Sequence, residues 1–271
     1  MKKLLYLFFA ITLLGCSSND DGISDLSETG EKLLVKSINW TKNEGAGGYT
    51  SNGSEVFTYD GSKIVQIVRT SSPNKTTTDK YIYTNNLISR IDSYDNHQDL
   101  QRQISLEYDT SDRLNYIEVS EGSGIEYYAS LEYSSSNTSF TYTATGVNNK
   151  YATEKTIFQL NNGNIVSFEG NGIDAQSMNC SYDNKHNPFK NIIGKNAGYG
   201  FIGLSFSRSI SGSGGENNIV AYESTDTNGN TTSDILTYVI TYDYNDKGYP
   251  RNIIWKEVGY DYGGTDIIEY Y

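Results

Sequence analysis

Four carboxylates, Glu257, Asp261, Asp266 and Glu269, crowd the end of the chain. Two carboxyl groups facing each other across a glycosidic bond can serve as acid and as nucleophile or base, so this is the chemistry of a carbohydrate-active hydrolase. Their separation is set by the fold, and any acidic chain offers such pairs. Cys180 and His186 suggest a thiol–imidazole pair or half a metal site. Met178, Cys180 and Tyr182 alternate onto one apolar strand face, however, where a thiol serves as a small core hydrophobe. His186 falls in the polar turn that follows, and His97 lies between Asn96 and Gln98. Two histidines exclude a multi-His zinc site. Asp226, Asn228, Asn230 and Asp234 space oxygen ligands as a calcium loop does, but the bidentate Glu and flanking helices of an EF-hand are missing. A hairpin turn accounts for them, and the sequence predicts neither metal nor cofactor. No Gly-x-Ser-x-Gly, His-Glu-x-x-His or phosphate loop occurs. The expectation is therefore a protein that is not an enzyme. Trp40, Trp255, Tyr260 and Tyr262 are the candidates for ligand contact, because their rings can stack on sugars. The competing use of Trp255, directly after Ile253-Ile254, is to fill the core.

The elements that must position these residues are strands. The chain holds 24 Tyr and 26 Gly but only 3 Pro. Aromatic and β-branched residues favour strands, and Gly, Asn and Asp favour turns. From Glu31 onward no apolar set recurs at i, i+3, i+4, i+7 over a helical length. Instead a unit recurs. Tyr59, Tyr83, Tyr108, Tyr133, Leu160 and Tyr182 follow one another at spacings of 24, 25, 25, 27 and 22 residues. Each marker ends an alternating strand, meets a polar turn such as Asp60-Gly61 or Asn162-Gly163, and leads into a second apolar strand. Cys180-Ser-Tyr182-Asp183 leads in this way to Phe189 and Ile192, and Tyr242-Asp-Tyr244 to Ile253-Ile254-Trp255. Between Ile192 and Tyr238 the pattern blurs into long loops, over Ser211 to Gly215 and Thr225 to Thr232. A fixed period in this range marks a repeat array. The fold class is all-β, a single large twisted antiparallel meander of hairpins, expected as a curved open sheet or incomplete barrel.

The start of the chain sets its address. Lys2 and Lys3 precede Leu4 to Leu14, an uncharged apolar run too short to span a bilayer as a helix, and Leu13-Leu14-Gly15-Cys16 closes it. This resembles the lipobox of bacterial lipoproteins, which implies cleavage before Cys16 and acylation of that residue. Two or more chains make such an anchor stable. Three segments follow: a signal over 1–15, the lipidated Cys16 with an acidic linker to 32, and a β-repeat domain over 33–271. Ser17 after the Cys resembles lipoproteins sorted to the outer membrane, and Ser17-Ser18-Asn19-Asp20-Asp21 resembles the surface-export signal of Bacteroides-group lipoproteins. Periplasmic orientation is the alternative. The hairpin unit resembles YD-type repeats. The whole mature chain resembles an uncharacterised family of Bacteroides-group surface lipoproteins, a likeness that Asn187-Pro188-Phe189 strengthens.

The formal net charge is −12, becoming −14 once Lys2 and Lys3 leave with the signal. That sign argues against nucleic acid, which needs clustered cations, and against peripheral contact with anionic lipid. Cys180 is the one Cys besides Cys16, so no intramolecular disulfide forms and the packed core must carry stability. A domain of this size buries roughly 70–75% of its unfolded surface, which is enough. The sequence thus predicts a lipid-anchored β-repeat protein whose partners are the membrane, through its anchor, and a glycan or surface protein; an architectural role is the further option.

Overall fold

The computed structural model describes residues 32–44, 48–71, 73, 75–122, 124–147, 154–171, 176–195, 207, 215–226 and 234–271. Cys16, the signal and the linker to residue 31 lie outside them. Leu33–Tyr271 forms one compact unit. Its strands are β1 (Val35–Glu44), β2 (Thr50–Asp60), β3 (Lys63–Ser71), β4 (Lys75–Thr84), β5 (Leu87–Tyr94), β6 (Leu100–Tyr108), β7 (Leu114–Glu121) and β8 (Gly124–Tyr133). Then come β9 (Ser139–Gly146), β10 (Glu154–Asn161), β11 (Asn164–Asn171), β12 (Gln176–Tyr182), β13 (Ile219–Asp226), β14 (Asp234–Tyr244), β15 (Pro250–Glu257) and β16 (Tyr262–Tyr270). Each pairs antiparallel with its chain neighbours, and β1 pairs with β16, from Val35↔Tyr270 to Glu44↔Tyr262. The antiparallel meander is as expected. The open or incomplete sheet is not: the 16 strands close on themselves.

Bulges explain the closure. In seven places the strand leaving the same end of the barrel carries one extra residue: Lys36, Val65, Ser89, Asn115, Val166, Val220 and Arg251. Opposite these bulges stand Tyr59, Tyr83, Tyr108, Leu160, Tyr182, Tyr244 and Tyr270, several of them the markers of the sequence repeat. A bulge bends its strand and increases the local twist. Repeated around the sheet at one level, it curls the meander until its first and last strands meet, which also removes both sheet edges.

Tyrosines near the strand ends and the Asp or Asn of the turns divide the work. The Tyr108 hydroxyl donates to the Ile88 carbonyl at 2.7 Å, Tyr182 to Ile165 at 2.6 Å, Tyr242 to Ile219 at 2.6 Å and Tyr270 to Pro250 at 2.7 Å. Each clamps one hairpin to the previous one, at about 1 kcal/mol net apiece. Asp109 Oδ1 accepts from the Ser111 and Arg113 amides at 2.8 and 3.0 Å, and Asn245 Oδ1 from Lys247 and Tyr249 at 3.0 Å each. These side chains hold the turns that carry Asp112 and Gly248 at φ of 57° and 76°.

The core lies inside the barrel. Phe57, Ile67, Ile91, Ile104, Leu106, Ile117, Leu131, Phe140, Phe158, Ile240, Ile253 and Ile268 are all buried there. Phe140 stacks on Phe158 with centroids 4.7 Å apart. Outward positions carry exposed Lys80, Glu107, Glu132, Glu169, Glu223 and Lys256. The same outward face also exposes Val56, Ile157, Val239, Ile254 and Ile267, so it mixes charged and apolar side chains while the interior is apolar.

One end is capped by the β12–β13 connection. Phe189 is fully buried against Phe57 at 5.6 Å, and Ile193 accepts from the Tyr83 hydroxyl at 3.1 Å while its amide donates to Ser62. Asn191 ties this cap to the Leu33 carbonyl at 2.8 Å. The expected strand through Phe189 and Ile192 is therefore a plug instead. Pro188 fixes φ, and Asn187 Oδ1 accepts from the Phe189 amide at 3.0 Å, which makes a turn of that segment. Ser211 to Gly214 and 227–232, expected as loops, lie outside the described residues, while Thr225 and Asp226 belong to β13.

Candidate functional site

At the end opposite the cap, five neighbouring strands turn aromatic side chains toward the interior. Alternation fixes which ones. From buried Ile38 on β1 the inward positions run to Trp40 and Lys42; from Ile253 on β15 to Trp255 and Glu257. On β14, buried Ile240 places Tyr238 on the same side, and on β16 buried Ile268 places Asp266, Gly264 and Tyr262 there. Tyr222 of β13 stands directly opposite Tyr238.

These side chains form a continuous row. Tyr222 and Tyr238 stack at 4.5 Å with planes 13° apart. Tyr238 meets Tyr262 edge-on at 6.4 Å, and Tyr262 meets Trp255 edge-on at 5.4 Å. Lys42 Nζ lies 5.1 Å from the Tyr262 centroid, and the Tyr238 hydroxyl donates to Glu257 at 2.9 Å. Burial, then the Glu257 carboxylate, holds the Tyr238 phenol protonated well above its ordinary range. Two glycines set the indoles. Trp40 lies across from Gly53, where an added Cβ would come within 2.4 Å of its ring. Trp255 lies across from Gly264, where the approach would be 2.7 Å. No side chain other than glycine's leaves room for an indole flat on the neighbouring strand.

Of the four residues proposed from sequence for ligand contact, Trp40, Trp255 and Tyr262 thus share one wall, half-buried. Tyr260 is 68% exposed in the β15–β16 turn and stands apart from the row. Tyr222, Tyr238 and Glu257 complete it. The alternation Tyr238-x-Ile240-x-Tyr242 was the available sequence signal for Tyr238. Tyr222 belongs to β13, where the repeat blurs.

The four C-terminal carboxylates do not converge. Asp266 is buried inward, Glu269 faces out beside Lys36 at 3.7 Å, and exposed Asp261 takes a bond from Asn43. Asp266 pairs with Ile253, four positions along β15 from Glu257. At about 3.3 Å per residue that is roughly 13 Å, beyond the ~5–9.5 Å over which paired carboxyls act on a glycosidic bond. Cys180 faces inward beside Tyr182, and burial pushes its thiol up to about 11. His186 is half-buried against Tyr249 at 4.9 Å rather than solvated. Asp226 and Asp234 pair across β13 and β14, and Asn228 and Asn230 lie outside the described residues, among which no metal-binding group occurs.

Between row and cap lies an ionic cluster that sequence reasoning missed. Glu55, fully buried, is 3.3 Å from Arg69 Nε; Arg69 also bonds Asp79, and Ser207 of the β12–β13 connection bonds Glu55. Glu55 shares a face with Phe57, so it must point inward and find its partners there.

No protein-family model matches the chain, and no curated protein matches it. Among solved structures it is similar to a porin-like protein from Bacteroides uniformis, at TM-score 0.42 and 10% identity over 88% of this chain and 96% of that one. A porin-like protein from Bacteroides vulgatus gives TM-score 0.40 and 9% identity over 89% and 99%. At that level the likeness bears on neither activity nor location.

Proposed function

We propose that this chain is a non-enzymatic β-barrel held at the outer membrane, facing outward, by acylation of Cys16, and that it binds a glycan along the Trp255–Tyr262–Tyr238–Tyr222 row. The observation that carries the binding reading is the row itself. Ring faces are fixed by glycines at Gly53 and Gly264, and Glu257 and Lys42 stand beside them as hydrogen-bonding groups. A pyranose offers apolar C–H faces to rings and hydroxyls to such groups, the mixture that a mostly apolar site with few polar groups selects. The polarity of the wall supports the anchor. Charges at Lys80, Glu107, Glu132, Glu169, Glu223 and Lys256 interrupt its outward face, so attachment falls to the lipobox-like Leu13-Leu14-Gly15-Cys16 rather than to the strands. The acidic stretch after Cys16 supports the surface-facing orientation.

Calorimetry of the purified protein against a panel of neutral and acidic oligosaccharides tests the reading. At least one binds, and Trp255→Ala weakens it about tenfold, equivalent to ~1.4 kcal/mol, with an unchanged circular dichroism spectrum. Turnover of any oligosaccharide in the panel overturns the non-enzymatic claim, and binding insensitive to Trp255→Ala overturns the site. Mass spectrometry of the membrane-extracted protein tests the anchor, which requires an acylated Cys16 as the first residue.

A further inference from the structure

On the outer wall, far in chain and strand order from the aromatic row, Tyr116 of β7 and Tyr128 of β8 lie with nearly parallel rings, with centroids 6.4 Å apart and planes 22° apart. Tyr128 is 41% exposed. Their cross-strand partners set the chemistry around them. Glu107 stands opposite Tyr116 and Glu118 opposite Tyr128, while small Ser130 and Thr145 on the remaining sides leave the rings standing clear. Glu132 lies on the same face one strand position further along β8 from Ser130. Burial and then the Glu118 and Glu107 carboxylates raise the Tyr116 phenol above its ordinary value.

Elsewhere four tyrosines lie under a cation of the molecule itself. Lys42 lies over Tyr262, Lys63 over Tyr83, Lys80 over Tyr94 at 4.6 Å and Arg113 over Tyr133 at 4.6 Å. Among outward carboxylates, Asp92 pairs with Arg90 and Glu269 with Lys36, whereas exposed Glu169 and Glu223 have no ion pair among the described residues. Glu107, Glu118 and Glu132 have no ion pair, and Tyr116 and Tyr128 have no cation over them, among the described residues. Arg90 is two strands from Glu118 and engaged with Asp92, and exposed Lys155 of β10 stands two strands from Ser130 on the other side, opposite Thr143. The face presents two electron-rich rings and three carboxylates at once, all of them groups that attract a cation. We propose that this face of β6–β8 is a docking surface for a lysine- or arginine-bearing segment of a partner protein, whose cationic groups lie over Tyr116 and Tyr128 between Glu107, Glu118 and Glu132. It is separate from the glycan row and does not depend on it.

The probe is a tetra-arginine peptide, with tetra-citrulline as its uncharged counterpart, titrated at low salt into the full-length protein. Tetra-arginine is expected to bind and tetra-citrulline not to. Tyr128→Ser and Glu118→Gln are each expected to weaken binding about two- to five-fold, as exposed cation–π contacts and ion pairs do. Glu223→Gln, which removes the same charge from exposed β13, should leave it unchanged. Equal loss in Glu223→Gln, or no loss in Tyr128→Ser, would show that net charge alone attracts the peptide and would overturn the proposal, as would absence of binding. Tighter binding of a glucosamine oligomer than of tetra-arginine would overturn the protein-partner assignment. All variants are compared at equal melting temperature, so a folding defect is seen directly.

Discussion

The two ends of this barrel use the same residue for opposite purposes. At the capped end, tyrosine hydroxyls reach back to backbone carbonyls, as Tyr108, Tyr182, Tyr242 and Tyr270 do at 2.6 to 2.7 Å. At the far end, Tyr222, Tyr238 and Tyr262 meet ring to ring, with their contacts directed to other side chains. Tyrosine clamps hairpins where bulges curl the sheet, and it forms a half-buried surface where glycines let indoles lie flat. Abundance of one residue type thus marks neither architecture nor binding; the atom that carries its contact does.

The comparison breaks most visibly through the cap. Phe189→Ala removes a fully buried ring that packs on Phe57, and should cost ~3–5 kcal/mol in chemical denaturation. Ligand affinity at the far end, measured under native conditions, should change little.

Alkaline titration probes the buried phenols. Burial is the first cause that raises the phenols of Tyr59, Tyr182 and Tyr270 above their ordinary value. A raised pKa means the fold favours the protonated phenol, so the stability is fully present below the unfolded value of ~10 and is lost as pH rises above it. Denaturation midpoints should be flat to about pH 9 and fall steeply beyond ~10. Phenolate absorbance should then appear together with unfolding rather than before it. A further consequence concerns Cys180, held up to about 11 by burial. Alkylation at pH 8 should be slow in the native protein and fast in denaturant.

The smallest effect sharpens the contrast best. Tyr182→Phe deletes one hydroxyl and leaves the Ile165 carbonyl without that donor, at a cost of ~1–3 kcal/mol. Tyr262→Phe, whose ring contacts survive the change, should cost less than ~0.5 kcal/mol. Equal costs for the two substitutions, compared by urea denaturation, would remove the distinction between the ends.

Much of this architecture is legible in the chain. The near-constant spacing of Tyr59, Tyr83, Tyr108 and Tyr133 and the turn pairs Asp60-Gly61 and Asn162-Gly163 give the hairpin order and the antiparallel meander. Closure is not legible, because the bulged residues share no type: Ser89, Asn115, Val166 and Arg251 are alike only in position. The plug at Phe189 imitates a strand because its apolar residues sit where the next unit's would. Inside the barrel, Trp40, Trp255 and Tyr262 come together as ring-bearing residues on neighbouring strands, whereas Tyr260 falls in a turn and is lost to the row. The partners Gly53 and Gly264 carry no signal of their own, since a glycine in a strand does not say which ring it admits. Glu55 and Arg69 were missed for the converse reason. Alternation puts them inward with Phe57 and Ile67, but charge alone suggests the outside.

Both tryptophans of the chain, Trp40 and Trp255, lie in the proposed binding wall, so their emission reports on it without a label. Titrating the protein with a glycan found to bind by calorimetry is the most direct measurement. A saturable change in tryptophan emission with the calorimetric dissociation constant, preserved in Tyr182→Phe and lost in Trp255→Ala, is the predicted result. Calorimetric binding with emission unchanged to saturation would contradict it and place the ligand elsewhere on the barrel.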